Sequence, residues 1–233
     1  MFITIEPHQF SANQKLLDAM FRLRKRVFFD ELGWDVPIKG DRERDRYDDH
    51  RPVYLIWCSD DRRTLYASLR LMPTTGPTLL HDVFSRTFGN DVDLSAPGIW
   101  EATRMCVDVE ALRLDHPEID LMRAMSLMVA LICEVAVDKG IHTVVSNYEP
   151  QIARVYKRAG ATFDEIGRAD GYGKRPVCCG LFEASECVLQ QIYTKLRLSK
   201  PLLSGLRHTA QHHAPAFAVN PYAAQARFSG FAA

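Results

Sequence analysis

The sequence lacks several common signatures of function. Its six cysteines include no C-x-x-C pair, which excludes the usual zinc and redox motifs. It contains neither G-x-G-x-x-G nor G-x-x-x-x-G-K-[ST], so the standard dinucleotide and P-loop sites are excluded. Its 29 basic and 29 acidic residues cancel to a formal net charge of zero, and neither charge nor motif supports binding to nucleic acid.

Signals for secretion and membrane insertion are also missing. The N-terminus, M-F-I-T-I-E-P-H, has no basic region followed by an apolar one. The longest apolar stretch, residues 125–137, is interrupted by Glu134 and is too short to cross a bilayer. Scattered cysteines without a disulfide framework are typical of a reducing compartment, so we expect a cytoplasmic protein with no membrane span.

The order of apolar patterns predicts the fold class. Helical periodicity predicts helices at residues 13–30, 120–139, 150–159 and 187–198, and short apolar runs predict strands at 53–58, 64–72, 99–109, 142–146 and 177–182. Residues 1–10 suit an edge strand or an entry arm, and residues 35–51 a long loop. This order predicts an α/β three-layer sandwich with a mixed, mostly antiparallel sheet.

A change in composition divides the chain. From Ser199 onward it is rich in Ala, Pro, Ser and His, which predicts a domain over residues 1–198 and a loosely ordered tail over 199–233. The tail histidines His208, His212 and His213 resemble metal ligands by residue type only, so we predict no metal site.

Charged residues in apolar strands are the strongest candidates for chemistry. Arg70 needs a carboxylate partner, because an unpaired buried charge costs several kcal/mol, by a rough general estimate. Glu101 and Arg104 share another apolar strand, three residues apart, so a β-bulge between them would be needed for both to serve one site. With Asp45 and Asp48 they could form either a structural ion-pair cluster or a pocket for a zwitterionic small molecule with Glu101 as base.

Four motifs, taken together, resemble those of the acyl-homoserine-lactone synthases, the LuxI-type autoinducer synthases. They are R-x-x-x-F-x-x-x-x-x-W (Arg24, Phe28, Trp34), E-R-D-R-Y-D (Asp45, Asp48), R-L-x-P-T (from Arg70) and W-E-x-x-R (Glu101, Arg104). The resemblance covers about residues 21–160. It departs at Gly160–Ala161, where that family often has Gly-Trp, and the tail has no counterpart.

The resemblance implies a fold like that of the GCN5-type N-acyltransferases, and a two-step reaction. An acyl thioester would acylate the amino group of S-adenosylmethionine, whose carboxylate would then close on Cγ and expel methylthioadenosine, so this compound is a consumed substrate and no cofactor is expected. Glu101 would take the amino proton, because an α-amino group with a pKa of about 8 is mostly protonated at neutral pH. Arg70 and Arg104 would complete the catalytic set.

The remaining implied roles concern binding. Arg24, Phe28, Trp34, Asp45 and Asp48 would bind S-adenosylmethionine. Positions equivalent to the family's chain-length residues are Ser126, Val129, Thr143, Val145, Ser146 and Ile152. The hydroxyl of Thr143 suggests a 3-oxo acyl chain.

The donor would be acyl carrier protein or acyl-coenzyme A. Lys139, Arg154, Lys157 and Arg158 could dock an acidic carrier protein or could be an ordinary solvated face. Chain length and oligomeric state remain open at this point.

Two other functions remain. The first is an acetyl-coenzyme A-dependent N-acetyltransferase of the same fold, which is disfavoured because residues 112–120 contain no glycine for a pyrophosphate loop. The second is a binding module that keeps the ion cluster for stability.

Overall fold

A computed structural model describes residues 1–89 and 92–204 as a sheet with helices on both faces. The strands are β1 (Phe2–Ile5), β2 (Ile38–Lys39), β3 (Arg42–Glu43), β4 (Val53–Cys58), β5 (Leu65–Pro73), β6 (Ile99–Val107), β7 (Thr143–Tyr148), β8 (Phe163–Ala169) and β9 (Val177–Glu183). The helices are α1 (Gln14–Arg24), α2 (Leu79–Asp82), α3 (Val109–Asp115), α4 (Leu121–Asp138), α5 (Ala153–Ala159) and α6 (Glu186–Leu196).

Seven strands form the main sheet, in the order β1-β4-β5-β6-β7-β9-β8. The β6–β7 pair is parallel, and the other neighbouring pairs are antiparallel. Alternation along β4 separates the two faces, since Tyr54 and Ile56 pack in the cluster that contains α1 whereas Leu55 packs in the one that contains α4. The predicted α/β sandwich with a mixed, mostly antiparallel sheet is confirmed, as is the edge position of β1.

Helix α4 corresponds to the helix predicted at residues 120–139. Its 18 residues are apolar almost all round, and eleven of them are buried. Asp120 begins the helix by accepting a hydrogen bond from the Arg123 N–H, and Gly140 with φ +70° follows its end. Because α4 packs on the sheet and on α5 and α6, its position decides where a cavity can open.

Strand β6 has two irregularities, an early end to its pairing with β7 and a bulge opposite β5. Its parallel pairing with β7 extends only from Ile99–Thr143 to Glu101–Val145, after which the strands separate. On its other side, Ser68 pairs with Cys106 and Arg70 with Thr103, so two β6 residues lie opposite Leu69. This is the predicted bulge. It lies at Arg104, whose φ of +56° turns the side chain to the face that carries Glu101.

The structure corrects two local predictions. The predicted loop at 35–51 contains the small hairpin β2–β3 and a 3₁₀ turn at Arg46–Asp49. Strand β8 was missed, because three charged residues and a glycine interrupt its apolar pattern, and it pairs only with β9 at the sheet edge.

The chain after α6 stays attached as far as it is described. The backbone N–H groups of Leu202 and Leu203 donate to Glu134, and Leu203 makes a parallel bridge to Phe2. The rest of the predicted tail, including its three histidines, lies outside the described residues. Within the described ranges, no helix is both long and apolar enough to cross a membrane, and no group of three His, Cys, Asp or Glu could hold a metal ion.

Candidate active site

Six charged side chains from four chain segments meet on the α1 face of the sheet, nearly sealed from solvent. We call them the arginine cluster. Its members are Arg24, Arg70, Arg104, Glu43, Asp45 and Asp48. Three cations therefore face three carboxylates, and this balance is what allows so many charges to be buried together.

Arg24 and Arg70 form the deepest bonds of the cluster. Arg24 donates to both oxygens of Asp48, at 2.8 and 3.0 Å, and through Nε to Glu43 at 2.5 Å. Arg70 donates to both oxygens of Asp45, at 2.5 and 3.0 Å, and to Asp48 at 3.0 Å. These bidentate contacts fix the planes of both guanidinium groups.

Arg104 completes the cluster from the bulge. Its Nη2 lies 3.2 Å from a Glu43 oxygen and 3.0 Å from an Asp45 oxygen. Its guanidinium also lies over the Phe28 ring, with the carbon 5.4 Å from the ring centroid. The bulge therefore places one guanidinium group in contact with both the carboxylates and an aromatic ring.

Asp45 and Asp48 also organise their own turn. The Tyr47 N–H donates to Asp45, and the Asp45 N–H donates to Asp48. The Tyr54 hydroxyl adds a bond of 2.8 Å to Asp48. Burial alone would raise the pKa of Asp48, but attraction to Arg24, together with its hydrogen bonds, lowers that pKa below its usual range. The carboxylate therefore stays ionised at neutral pH.

Glu101 stands apart from the cluster. It is fully buried, and its oxygens accept the N–H groups of Leu79 at 3.2 Å and Leu80 at 2.7 Å, at the start of α2. It makes no ion pair in the described structure, so the predicted network is wrong in this member, and Glu43 takes its place. Burial raises the pKa of Glu101 to about 7, against the opposing effect of the Arg70 charge. Such a carboxyl can gain or lose a proton near neutral pH.

Two aromatic residues lie next to Arg104. The α1 helix continues into a π-helix, Lys25–Glu31, which carries Phe28. The Phe28 and Trp34 rings stack with centroids 5.1 Å apart, and the Trp34 N–H donates to the Phe28 carbonyl. A cation and two stacked rings at one place suit a ligand that has both a flat ring and a charge.

A cavity of about 380 Å³ begins at these aromatics and passes through the sheet. On the α1 face it is lined by Phe28, Trp34 and Thr103, and on the α4 face by Val129 and Val144, among others. It crosses where β6 and β7 separate, and its walls are mostly apolar. A polar ligand on one face could therefore meet an apolar chain that enters from the other.

Comparison with known sequences identifies the origin of this arrangement. The sequence profile of a family described as autoinducer synthase matches residues 8–192. The chain belongs to the autoinducer synthase family. It is an acyl-homoserine-lactone synthase, an acyltransferase.

Individual relatives agree. An acyl-homoserine-lactone synthase of Rhizobium etli is 38% identical over 153 residues, which are 64% of this chain and 68% of that one. Another, from Agrobacterium fabrum, is 31% identical over 191 residues, 82% of this chain and 89% of that one. The coenzyme A-dependent synthase BjaI, solved with S-adenosylmethionine and isopentyl-coenzyme A, is 25% identical, with a TM-score of 0.74 over 86% of this chain and 91% of BjaI.

The residues expected to line the acyl pocket of the synthase divide into two groups. Val129, Ser146 and Ile152 line the cavity. The others, Ser126, Thr143 and Val145, are not among its lining residues.

Local geometry explains why these three lie elsewhere. Ser126 is buried in α4, where its hydroxyl bonds to the Met122 carbonyl. Along β7, Val144 and Ser146 face α4, so alternation turns Thr143 and Val145 to the other face. The 3-oxo hypothesis therefore has no support from this cavity.

Three site residues were missed from the sequence. Glu43 lies in the E-R-D-R-Y-D motif, but an acidic residue in an apparent loop resembles a solvated one. Tyr54 lies in an apolar strand, so the sequence pattern indicated a core residue and not a hydrogen-bonding hydroxyl. Thr103 accepts a hydrogen bond from the Arg70 Nε at 3.1 Å and lines the cavity. Its position two residues after Glu101, on the same face of β6, was the available indication.

Proposed function

We propose that the synthase joins S-adenosylmethionine to an acyl thioester and releases an N-acyl-L-homoserine lactone, methylthioadenosine and the free thiol. The observation that carries this proposal is an apolar cavity lined at one end by stacked aromatics and by Arg104 of the arginine cluster, with the buried carboxyl of Glu101 two residues before Thr103 in its wall. S-adenosylmethionine is consumed in the reaction, and no further cofactor is used.

S-adenosylmethionine binds between Arg104, Phe28 and Trp34. Its adenine or its sulfonium faces the two aromatic rings, which attract both flat surfaces and cations. Arg24, Asp45 and Asp48 hold this wall, since the guanidinium of Arg104 rests on carboxylates that the other arginines fix. The relative BjaI, solved with the same compound, supports this choice of substrate.

Glu101 removes the proton from the substrate ammonium, directly or through one water molecule. A pKa of about 7 suits this step, because the carboxylate is available near neutral pH and is basic enough to accept the proton. The freed nitrogen attacks the thioester carbonyl, the new N–C bond forms, and the C–S bond breaks. Backbone N–H groups of β6 beyond Glu101, where pairing with β7 ends, stabilise the charge on the carbonyl oxygen.

Lactone formation needs little further help. The carboxylate of the acylated substrate attacks its own Cγ, and the Cγ–S bond breaks to give neutral methylthioadenosine. The sulfonium is a good leaving group, and an intramolecular attack gains proximity from the substrate itself.

Acyl carrier protein suits the donor site better than coenzyme A. A pyrophosphate would need free N–H groups at the start of α4. There the Asp120 carboxylate already accepts the Arg123 N–H at 2.6 Å, and its negative charge opposes a second anion. BjaI is described as coenzyme A-dependent, so acyl-coenzyme A is the alternative.

An acidic carrier protein would dock on α5. Arg154, Lys157 and Arg158 lie on this helix, next to the cavity wall that Ile152 and Tyr156 form. Lys139 does not belong to this surface, since its ammonium pairs with Glu6 at 2.6 Å beside β1.

The test is incubation of the purified protein with S-adenosylmethionine and a panel of acyl carrier protein and coenzyme A thioesters, with products identified by mass spectrometry. The proposal predicts an N-acyl-homoserine lactone with an equal amount of methylthioadenosine. An acylated amine without methylthioadenosine would indicate a plain N-acetyltransferase or related enzyme. Absence of product from every donor would favour a binding module.

A further inference from the structure

The far end of the cavity is separated from solvent by a thin wall. Among the described residues, only Ala161 lines both the cavity and a surface depression of about 670 Å³ between α5 and α6. The depression is otherwise lined by Lys157, Gly160, Gln191, Thr194 and Lys195. One methyl group therefore lies between two spaces that are each large enough to hold part of a ligand.

The neighbours of Ala161 hold this wall in place. On α6, Ile192 faces the cavity, whereas Gln191 and Lys195 face the depression. The Gln191 side chain donates to the Gly160 carbonyl at 2.9 Å, and the Ala161 N–H donates to the Tyr156 carbonyl at 3.0 Å. Because the backbone on both sides is fixed, the side chain at position 161 decides how thick the wall is.

We propose that Ala161 sets the longest acyl chain that the synthase accepts, because its small side chain lets the end of a long chain pass beside it from the cavity into the depression. The inference rests on the proposed function, since it takes the apolar cavity as the acyl site. The aliphatic stems of Lys157 and Lys195 offer apolar surface there while their ammonium groups stay in water. The family resemblance leads one to expect a tryptophan at this position, and its ring would block the passage between the cavity and the depression.

The test compares product profiles for straight-chain thioesters of increasing length. Ala161→Trp should lower kcat/KM for the longest donors by roughly tenfold or more, because even one methylene in an apolar pocket is worth about 10- to 200-fold. It should leave the shortest donors and the KM for S-adenosylmethionine within about twofold of wild type, since these bind away from the wall. Ala161→Leu is the milder variant, to be used if tryptophan prevents folding.

Thr162→Trp is the matched control. Thr162 is exposed and lines neither space, so the same added bulk one residue away should not alter the profile. An unchanged profile for both Ala161 variants, with the lactone still formed, would overturn the inference and leave the proposed function intact.

Binding separates the two ideas further. A non-hydrolysable long-chain acyl thioester analogue should bind Ala161→Trp at least roughly tenfold more weakly than wild type, as measured by calorimetry. If wild type forms no lactone but this difference in binding is found, the proposed function fails, whereas the inference that position 161 limits the length of a bound acyl chain is upheld. Equal binding to both proteins would contradict the wall itself.

Discussion

Glu101 and Glu134 are two buried glutamates that differ in what surrounds them. Each accepts hydrogen bonds from two consecutive backbone N–H groups, those of Leu79 and Leu80 for Glu101 and those of Leu202 and Leu203 for Glu134. Glu134 also accepts the Tyr193 hydroxyl at 2.7 Å, whereas Glu101 receives no third hydrogen bond in the described structure. Glu134 therefore joins three chain segments, whereas the carboxylate of Glu101 can still accept further hydrogen bonds.

Their positions explain the difference. Glu134 lies on α4, next to the cluster that joins α4 to α6, so its donors come from the chain that follows α6. Glu101 is the last residue of β6 that pairs with β7, and it lies two residues before Thr103 of the cavity wall. Burial by itself thus does not distinguish a structural carboxylate from a reactive one. The acceptor capacity that the carboxylate keeps, and its position beside a strand that lines the cavity, do.

The largest expected effect comes from Glu101→Gln. Removing the base should lower kcat by about 10²- to 10⁴-fold, while binding of S-adenosylmethionine changes little. Steady-state kinetics and calorimetry would measure the two quantities. Glu134→Gln is the matched control and should keep wild-type kcat. Equal losses in the two variants would remove the distinction drawn between these residues.

Breaking the arginine cluster should affect folding more than either glutamate does. Asp48→Asn removes a carboxylate that both Arg24 and Arg70 contact and leaves three buried cations against two carboxylates, which should lower the free energy of unfolding by about 3–5 kcal/mol. Urea denaturation would measure this value. Asp49→Asn is the control, because Asp49 is exposed and pairs with Arg44 at the surface, where a loss below about 1 kcal/mol is expected. A similar small loss for Asp48→Asn would mean that the cluster is not a stabilising network.

Glu134→Gln should have a moderate effect on stability. The side-chain NH2 group of the glutamine would face one of the three groups that now donate to Glu134. One hydrogen bond would be lost, which should lower the free energy of unfolding by about 1–3 kcal/mol. The melting temperature should fall, and protease cleavage after α6 should become faster. Glu118→Gln, at an exposed position, should change neither. A stable Glu134→Gln protein would show that this attachment contributes little.

The smallest effect is the pH dependence of Glu101. Because the base must be ionised, kcat/KM should fall by about tenfold per pH unit below its pKa of about 7.

The stability of the folded protein should change with pH in the opposite direction. Between the ordinary value of 4.5 and about 7, the unfolded chain has released this proton and the folded chain has not, so raising pH destabilises wild type relative to Glu101→Gln. A wild-type profile without this acidic limb would place the base elsewhere.

Local pattern predicted much of the fold and part of the site. Helix α4, strands β4 and β5 and the bulge on β6 were all predicted, because each depends on residues close together in the chain. The residue motifs identified five of the six members of the arginine cluster. Glu43 was missed because its two arginine partners lie 19 and 61 residues away along the chain.

The sequence alone determined the family, the α/β fold class with its mixed sheet and the residue types that the chemistry needs, since these follow from motifs and periodicity. Only the tertiary structure decided that Glu101 contacts α2 rather than the arginines, that Thr143 and Val145 turn away from the cavity, and that Ala161 lies between two spaces. The physical reason is that burial, pairing and access depend on which segments pack together, and no local pattern encodes those long-range contacts.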